Sequence, residues 1–206
     1  MISILFSAGP LAFIVIFGSL VATIAVHEFA HALAADKLGD PTPRIQGRLT
    51  LDPRAHLDLV GTVAMLITWF GWGKPVQFDP YNLKNPRKDA ALIGLAGPAS
   101  NITVAILFSL ILRVLPPSLL VWAIMTSVIR LNLVLAIFNL VPIHPLDGGK
   151  ILIGFLPRDL ADEWNAILSQ YGMIFLVLLI LPFGGTSPIS YLISPVLNAF
   201  FSILIP

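Results

Sequence analysis

Apolar runs long enough to cross a bilayer constrain this chain more than any other feature. A helix needs roughly 20 apolar residues to span the hydrocarbon core at about 1.5 Å per residue. Stretches of that kind lie at about 10–35, 89–113 and 119–142, with two further apolar stretches at about 168–183 and 189–205. Composition agrees, with 57% of the 206 residues hydrophobic, 11% charged and a mean hydropathy of +0.91. Soluble domains carry about one quarter charged residues, so the expected fold is a polytopic α-helical membrane protein with four to five transmembrane helices. The chain reads as one membrane-embedded domain over residues 1–206, with its first span retained rather than cleaved as a signal peptide.

The connections are read from their punctuation. Residues 37–88 hold most of the polar sequence and are rich in Gly and Pro. Within them, "RIQGRLTL" (44–51) alternates as a short β-strand does. Residues 57–73 are apolar but too short for a crossing, which predicts a re-entrant or interfacial segment. Residues 151–165, with Arg158, Asp159, Asp162 and Glu163, read as an amphipathic surface helix. Trp69, Trp72 and Tyr81 read as interfacial aromatics. Eight of the twelve Lys and Arg residues fall between Lys37 and Lys88. The positive-inside rule places that connection in the cytosol, and Lys150 and Arg158 return to the same side after two more crossings.

Composition also excludes functions. There is no cysteine, so thiol catalysis, disulfides and Cys-ligated zinc are ruled out. A net charge of +1 offers no basic field for nucleic acid. The partners to expect are the lipid bilayer and membrane-embedded chains.

Against this background "HEFAH" (27–31) stands out. The chain has four histidines, and its only glutamates are Glu28 and Glu163; three of these six residues fall within five positions. Ionisable groups at membrane depth cost at least about 2.5 kcal/mol to insert, so they tend to be functional. His27 and His31 lie about 40° apart around a helix axis, so both imidazoles project from one face and suit a tetrahedral metal such as zinc. Glu28 lies about 60° beyond His31, beside the metal, where a carboxylate can take a proton from an activated water.

A third ligand is needed. Asp147, in "NLVPIHPLDGG" (139–149), sits where two prolines stop a helix and two glycines permit a tight turn. It completes a two-His-one-carboxylate set, or else caps the following turn. His56 and His144 are alternative third ligands or substrate contacts, or else solvated loop histidines, which is the commoner case. Arg130, in the middle of a span, needs water, a partner or a route to snorkel. Asn101 and Asn132 read as interhelical hydrogen-bonding residues or substrate contacts.

With "HEFAH" on a membrane helix and "NLVPIHPLDGG" far downstream, the chain resembles the site-2 protease family of intramembrane zinc metalloproteases. The stretches "GRLTLDPRAHLDLVGT", "GWGKPV" and "NPRKDAALIGLAGPASN" are similar to its compact bacterial branch. The resemblance implies one zinc ion held by His27, His31 and Asp147, with Glu28 as catalytic acid/base. It implies cleavage of a peptide bond inside a substrate's transmembrane segment, toward the cytosolic side of the plasma membrane. Asn139 matches the family's asparagine ahead of the aspartate; its amide either donates to the developing oxyanion or bonds another helix. PDZ-like and CBS domains occur in the family. Neither is recognisable here, so regulation is expected from another protein, from a first cut that trims the substrate, or from the embedded loops. Non-helical backbone in 44–52 or 71–79 is the expected edge for an unwound substrate. A metal-ion transporter with a His/Asp transit site and a zinc-dependent lipid hydrolase are the rival readings.

Overall fold

The computed structural model describes residues 9–68, 71–116, 118–182 and 184–205. The first helix, α1 (Pro10–Leu38), has proline in its first turn and stops at Gly39, whose φ of 111° is a left-handed conformation that glycine adopts without steric cost. At 29 residues it is about 43 Å long and overreaches the hydrocarbon core. The single turn α2 (Thr42–Ile45) follows, then the short helix α3 (Leu59–Thr68). The long helices α4 (Pro86–Val114) and α5 (Leu119–Asn139) come next. They are followed by α6 (Asp147–Phe155), α7 (Arg158–Ile180) and α8 (Pro188–Leu204). Four of these, α1, α4, α5 and α7, are long and apolar enough to cross a membrane. The molecule is a helical membrane protein.

Helix α4 is the hub, packed against α1, α5 and α6. Its first turn is fastened by Asp89, whose carboxylate accepts the Asn85 N–H at 2.8 Å. Pro98 lies inside it and removes the bond to the Gly94 carbonyl. The neighbouring glycines let other elements close in. A Cβ on Gly94 would lie 3.3 Å from the Asp147 carbonyl, and one on Gly97 would lie 2.4 Å from His31 Nε2. An apolar core of Ala105, Leu112, Ile129, Leu133, Ile137 and Leu197 joins α4, α5 and α8. Ser109 and Arg113 on α4 donate to the Leu204 and Ile203 carbonyls at 2.5 and 2.7 Å, so α4 caps the end of α8. The guanidinium of Arg130 lies 4.9 Å from the centre of the Phe201 ring on α8, a cation–π contact that supplies its partner.

The predicted short β-strands are not found: among the described residues no strand is assigned, and Leu57–Gly73 is an isolated antiparallel bridge. For 44–51 the cause is local. Asp40 Oδ1 accepts both the N–H and the hydroxyl of Thr42, at 3.1 and 2.6 Å, which starts a helical turn at two prolines. Arg48 N–H then closes on the Pro43 carbonyl at 2.8 Å across Gly47, whose φ is 68°. The predicted helix at 151–165 is also corrected. Pro157 forces Leu156 into an extended conformation (ψ 152°) and separates α6 from α7. Arg158, Asp159, Asp162 and Glu163 therefore form the first two turns of a long apolar helix. The predicted span at 119–142 ends earlier, at Asn139.

Helix α3 and its return form a hairpin. Leu57 pairs with Gly73, and the Lys74 N–H donates to the His56 carbonyl at 2.7 Å, so both ends of the segment lie side by side. Gly61 abuts the Trp72 carbonyl, which an added Cβ would approach to 2.1 Å. Ten residues reach about 15 Å, half a bilayer core. That length falls short of a crossing. Trp69 lies outside the described residues, while Trp72 and Tyr81 are exposed.

Candidate active site

His27 and His31 sit in α1 about 10–17 Å from its C-terminal end, and both are buried. Asp147 is the first residue of α6, at a helix N-terminus that favours a carboxylate. Gly148 and Gly149 serve there by small size rather than by unusual φ. A Cβ on Gly148 would lie 2.2 Å from the Val141 carbonyl, and one on Gly149 would lie 2.7 Å from His144 Nδ1. Packing of α6 against α4 then carries the aspartate to the histidine pair. Asp147 Oδ2 lies 3.1 Å from His27 Nε2 and 3.0 Å from His31 Nε2, and the two Nε2 atoms are 3.0 Å apart. Lys150 Nζ stands 3.4 Å from the other carboxylate oxygen.

The outer hydrogen bonds settle which ring nitrogens carry protons. His31 Nδ1 contacts the Ile93 carbonyl at 2.7 Å, and a carbonyl only accepts, so Nδ1 is protonated. His27 Nδ1 contacts Asn101 Oδ1 at 2.6 Å. That amide has one orientation, because Asn101 Nδ2 donates to the Thr23 carbonyl (3.2 Å) and to Asn132 Oδ1 (2.9 Å). Asn132 is oriented in turn by donation to the Val128 carbonyl (2.9 Å) and Thr23 Oγ1 (3.0 Å). His27 Nδ1 is therefore also the protonated nitrogen. In neutral rings both Nε2 lone pairs then face the carboxylate oxygen, three acceptors around one point in a buried place. Such a set is stable only around a cation or a shared proton. Ligand atoms of a tetrahedral zinc site lie roughly 3.3 Å apart, so the trio fits one zinc ion.

Asn101 and Asn132 thus do bond between helices, as expected, but Asn101 also sets the His27 tautomer, which sequence reasoning missed. The available signal is its place one turn after Gly97, on the α4 face that meets the histidines. Replacing Asn101 with Leu is expected to weaken zinc binding by about 10–100-fold while leaving the helices assembled. Competition with a chelator of known affinity measures this, and unchanged affinity would refute the orienting role.

Glu28 is placed beside this group but held by other partners. Its Oε2 accepts the Val76 N–H at 2.9 Å and lies 3.8 Å from Arg48 Nη2. Asn139 is not brought to the cluster by its hydrogen bond, since Nδ2 donates to the Leu135 carbonyl one turn back at 3.0 Å. Neither His56 nor His144 joins it. His56 Nε2 donates to the Thr50 carbonyl at 2.7 Å. His144 packs against Gly149 and Gly172, and burial pushes its imidazole below the usual range, with Lys150 adding to the shift and a hydrogen bond to Asn165 opposing it. Among the described residues His27, His31 and Asp147 form the one group of three His, Asp or Glu side chains close enough to hold a metal.

Comparison with known proteins points to one family. The sequence profile of Peptidase family M50 matches residues 117–179. "Putative zinc metalloprotease YwhC" of Bacillus subtilis strain 168 is 38% identical over 190 residues, 88% of this chain and 84% of that protein. "Putative zinc metalloprotease Rip2" of Mycobacterium tuberculosis strain H37Rv is 30% identical over 177 residues, 82% of this chain and 67% of that protein. "Zinc metalloprotease MJ0392" of Methanocaldococcus jannaschii is 27% identical over 144 residues, 70% of this chain and 35% of that protein. No solved structure matches. With two histidines and an aspartate converging inside a helical membrane bundle, and with such relatives along most of its length, the chain belongs to peptidase family M50, the site-2 protease family of zinc metalloproteases.

Proposed function

We propose that this chain hydrolyses a peptide bond within the transmembrane segment of membrane-protein substrates, toward the cytosolic face of the plasma membrane. The observation that carries the reading is the convergence of His27 Nε2, His31 Nε2 and Asp147 Oδ2 to within 3.1 Å of one another, from residues up to 120 positions apart in sequence. In this reading these three atoms hold one zinc, which when bound supplies Lewis acidity for the scissile carbonyl and the attacking water. Asn101 and the Ile93 carbonyl keep both imidazoles presenting their lone pairs. Glu28 takes the proton from the water and passes it to the leaving amine. Asn139 retains a second amide N–H beyond the one bonded to Leu135, and donation of that proton to the developing oxyanion is its expected part. The non-helical stretch 71–79, which includes the bond donor to Glu28, is the edge nearest the site for an unwound substrate; 44–52 is taken up by α2 and its turns.

The cytosolic placement rests on the eight Lys and Arg residues of 37–88 and on the short distance from the histidines to the α1 end that leads into that connection. The test uses the intact chain in proteoliposomes with a panel of single-span membrane proteins. Cleavage within the apolar segment, lost on chelation and restored by zinc, is the expected result, with product masses locating the bond. Cleavage confined to segments outside the bilayer would overturn the intramembrane part.

A further inference from the structure

Arg48 is buried, only 4% exposed, in a part of the chain otherwise made of turns. Its guanidinium reaches three backbone and side-chain groups at once. Nη1 donates to the Pro75 carbonyl at 3.3 Å, Nη2 donates to the Lys74 carbonyl, and Nη2 lies 3.8 Å from Glu28 Oε2. Behind it stands His56, fully buried. With His56 Nε2 donating to the Thr50 carbonyl, Nδ1 of the neutral ring is the acceptor side, and it faces Arg48 Nη2 at 3.5 Å, the far limit of a hydrogen bond. The peptide that Arg48 grips is itself pinned at its start, where the Lys74 N–H meets the His56 carbonyl and Gly73 lies against Ile24, one turn before Glu28 on α1.

The Pro75 carbonyl and the N–H that follows it belong to one planar peptide, so holding the carbonyl on Arg48 fixes the direction of that N–H. That N–H is Val76, and its acceptor is Glu28 Oε2 at 2.9 Å. Pro75 has no N–H and the Lys74 N–H is taken up by the His56 carbonyl, so Val76 supplies the next donor on this stretch. We propose that Arg48, backed by His56, is a positioning residue for Glu28: it turns the Val76 amide onto the carboxylate and places a countercharge beside it. The assignment rests on Glu28 being the acid/base. It also gives His56 a task away from the metal. A fork-shaped guanidinium can hold two carbonyls and a carboxylate together, whereas an ammonium is a point charge and holds them less rigidly.

The test compares the full chain with Arg48→Met, Arg48→Lys and Glu28→Gln in detergent. Zinc per chain, kcat and KM on a single-span protein cleaved by the wild type, and amide hydrogen exchange of the peptide covering 71–79 are measured on each. Arg48→Met is expected to keep its zinc and its KM but lose about 100-fold in kcat, the scale of a 1 Å misplacement of a reacting group. Exchange over 74–76 is expected to rise, and Arg48→Lys is expected to recover part of both. Wild-type kcat in zinc-loaded Arg48→Met, unchanged exchange over 74–76, or loss of zinc from Arg48→Met would each overturn the proposal. The exchange measurement needs no substrate. An active Glu28→Gln would instead remove the acid/base reading beneath it, and an inactive Glu28→Gln beside a fully active Arg48→Met would remove Arg48 alone.

Discussion

Glu28→Gln is expected to hold zinc as the wild type does and to lose cleavage by about 10²–10⁴-fold, the usual contribution of a general acid–base group. The substitution is isosteric, and the amide oxygen of glutamine can still accept the Val76 N–H that Glu28 accepts at 2.9 Å. Local structure is therefore preserved while proton transfer is removed. His27, His31 and Asp147 keep their mutual distances because none is hydrogen-bonded to Glu28. Zinc content by mass spectrometry, read beside turnover of a single-span substrate, checks both halves. Turnover within tenfold of wild type at full zinc loading would move the acid/base role to another group. A metal-transit function would also survive this substitution, since transit needs the ligands and not the base.

Asp147→Asn carries the second large effect, and its sign differs with and without metal. In the wild type three acceptor atoms face one another at 3.0–3.1 Å with both Nδ1 positions protonated. Removing the cation leaves that repulsion to be relieved by a shared proton or by local opening. Asparagine offers an N–H to a histidine Nε2 and is neutral, so the metal-free variant is expected to melt higher than the metal-free wild type. It forfeits an anionic ligand, however, and activity is expected to fall to background, because without a metal the pKa of water is no longer lowered toward neutrality. Zinc at 1,000 times its Kd stabilises a folded protein by about 4 kcal/mol, so chelation should lower the wild-type Tm and leave that of Asp147→Asn unmoved. Equal Tm losses in both on chelation would mean that Asp147 is not a ligand.

The candidate ligand set is legible in the sequence because each member is anomalous where it stands. Two histidines at i and i+4 in an apolar helix, and an aspartate between a proline-stopped turn and two glycines, are costly unless they serve a common partner. Residues whose environment is ordinary give no such signal. Arg48 sits among other basic residues in a polar stretch, where an arginine is expected to be solvated. Only the folding of 71–76 over it makes it a buried cation. Asn101 is legible as a hydrogen-bonding residue in a span, but not as the one that orients His27, because that depends on how α4 is rotated against α1. His56 reads in the sequence as a loop histidine or a spare ligand because nothing there shows that its Nε2 is spent on Thr50.

The membrane class, the positions of the long helices and the chemistry of the candidate metal trio are determined by the sequence itself. They follow from hydropathy, helical periodicity and the scarcity of ionisable residues, all of which are local quantities. Local chemistry overrode two patterns: 44–51 alternates like a strand, yet Asp40 and two prolines hold it in turns, and the polar run at 158–163 looks like a surface helix, yet Pro157 makes it the start of a span. The tertiary structure alone decided the rest. The tautomers of His27 and His31, the grip of Arg48 on 74–76 and the approach of α6 to Gly94 depend on contacts between residues tens of positions apart. Those contacts are set by how helices pack, and a pattern read one window at a time does not contain them.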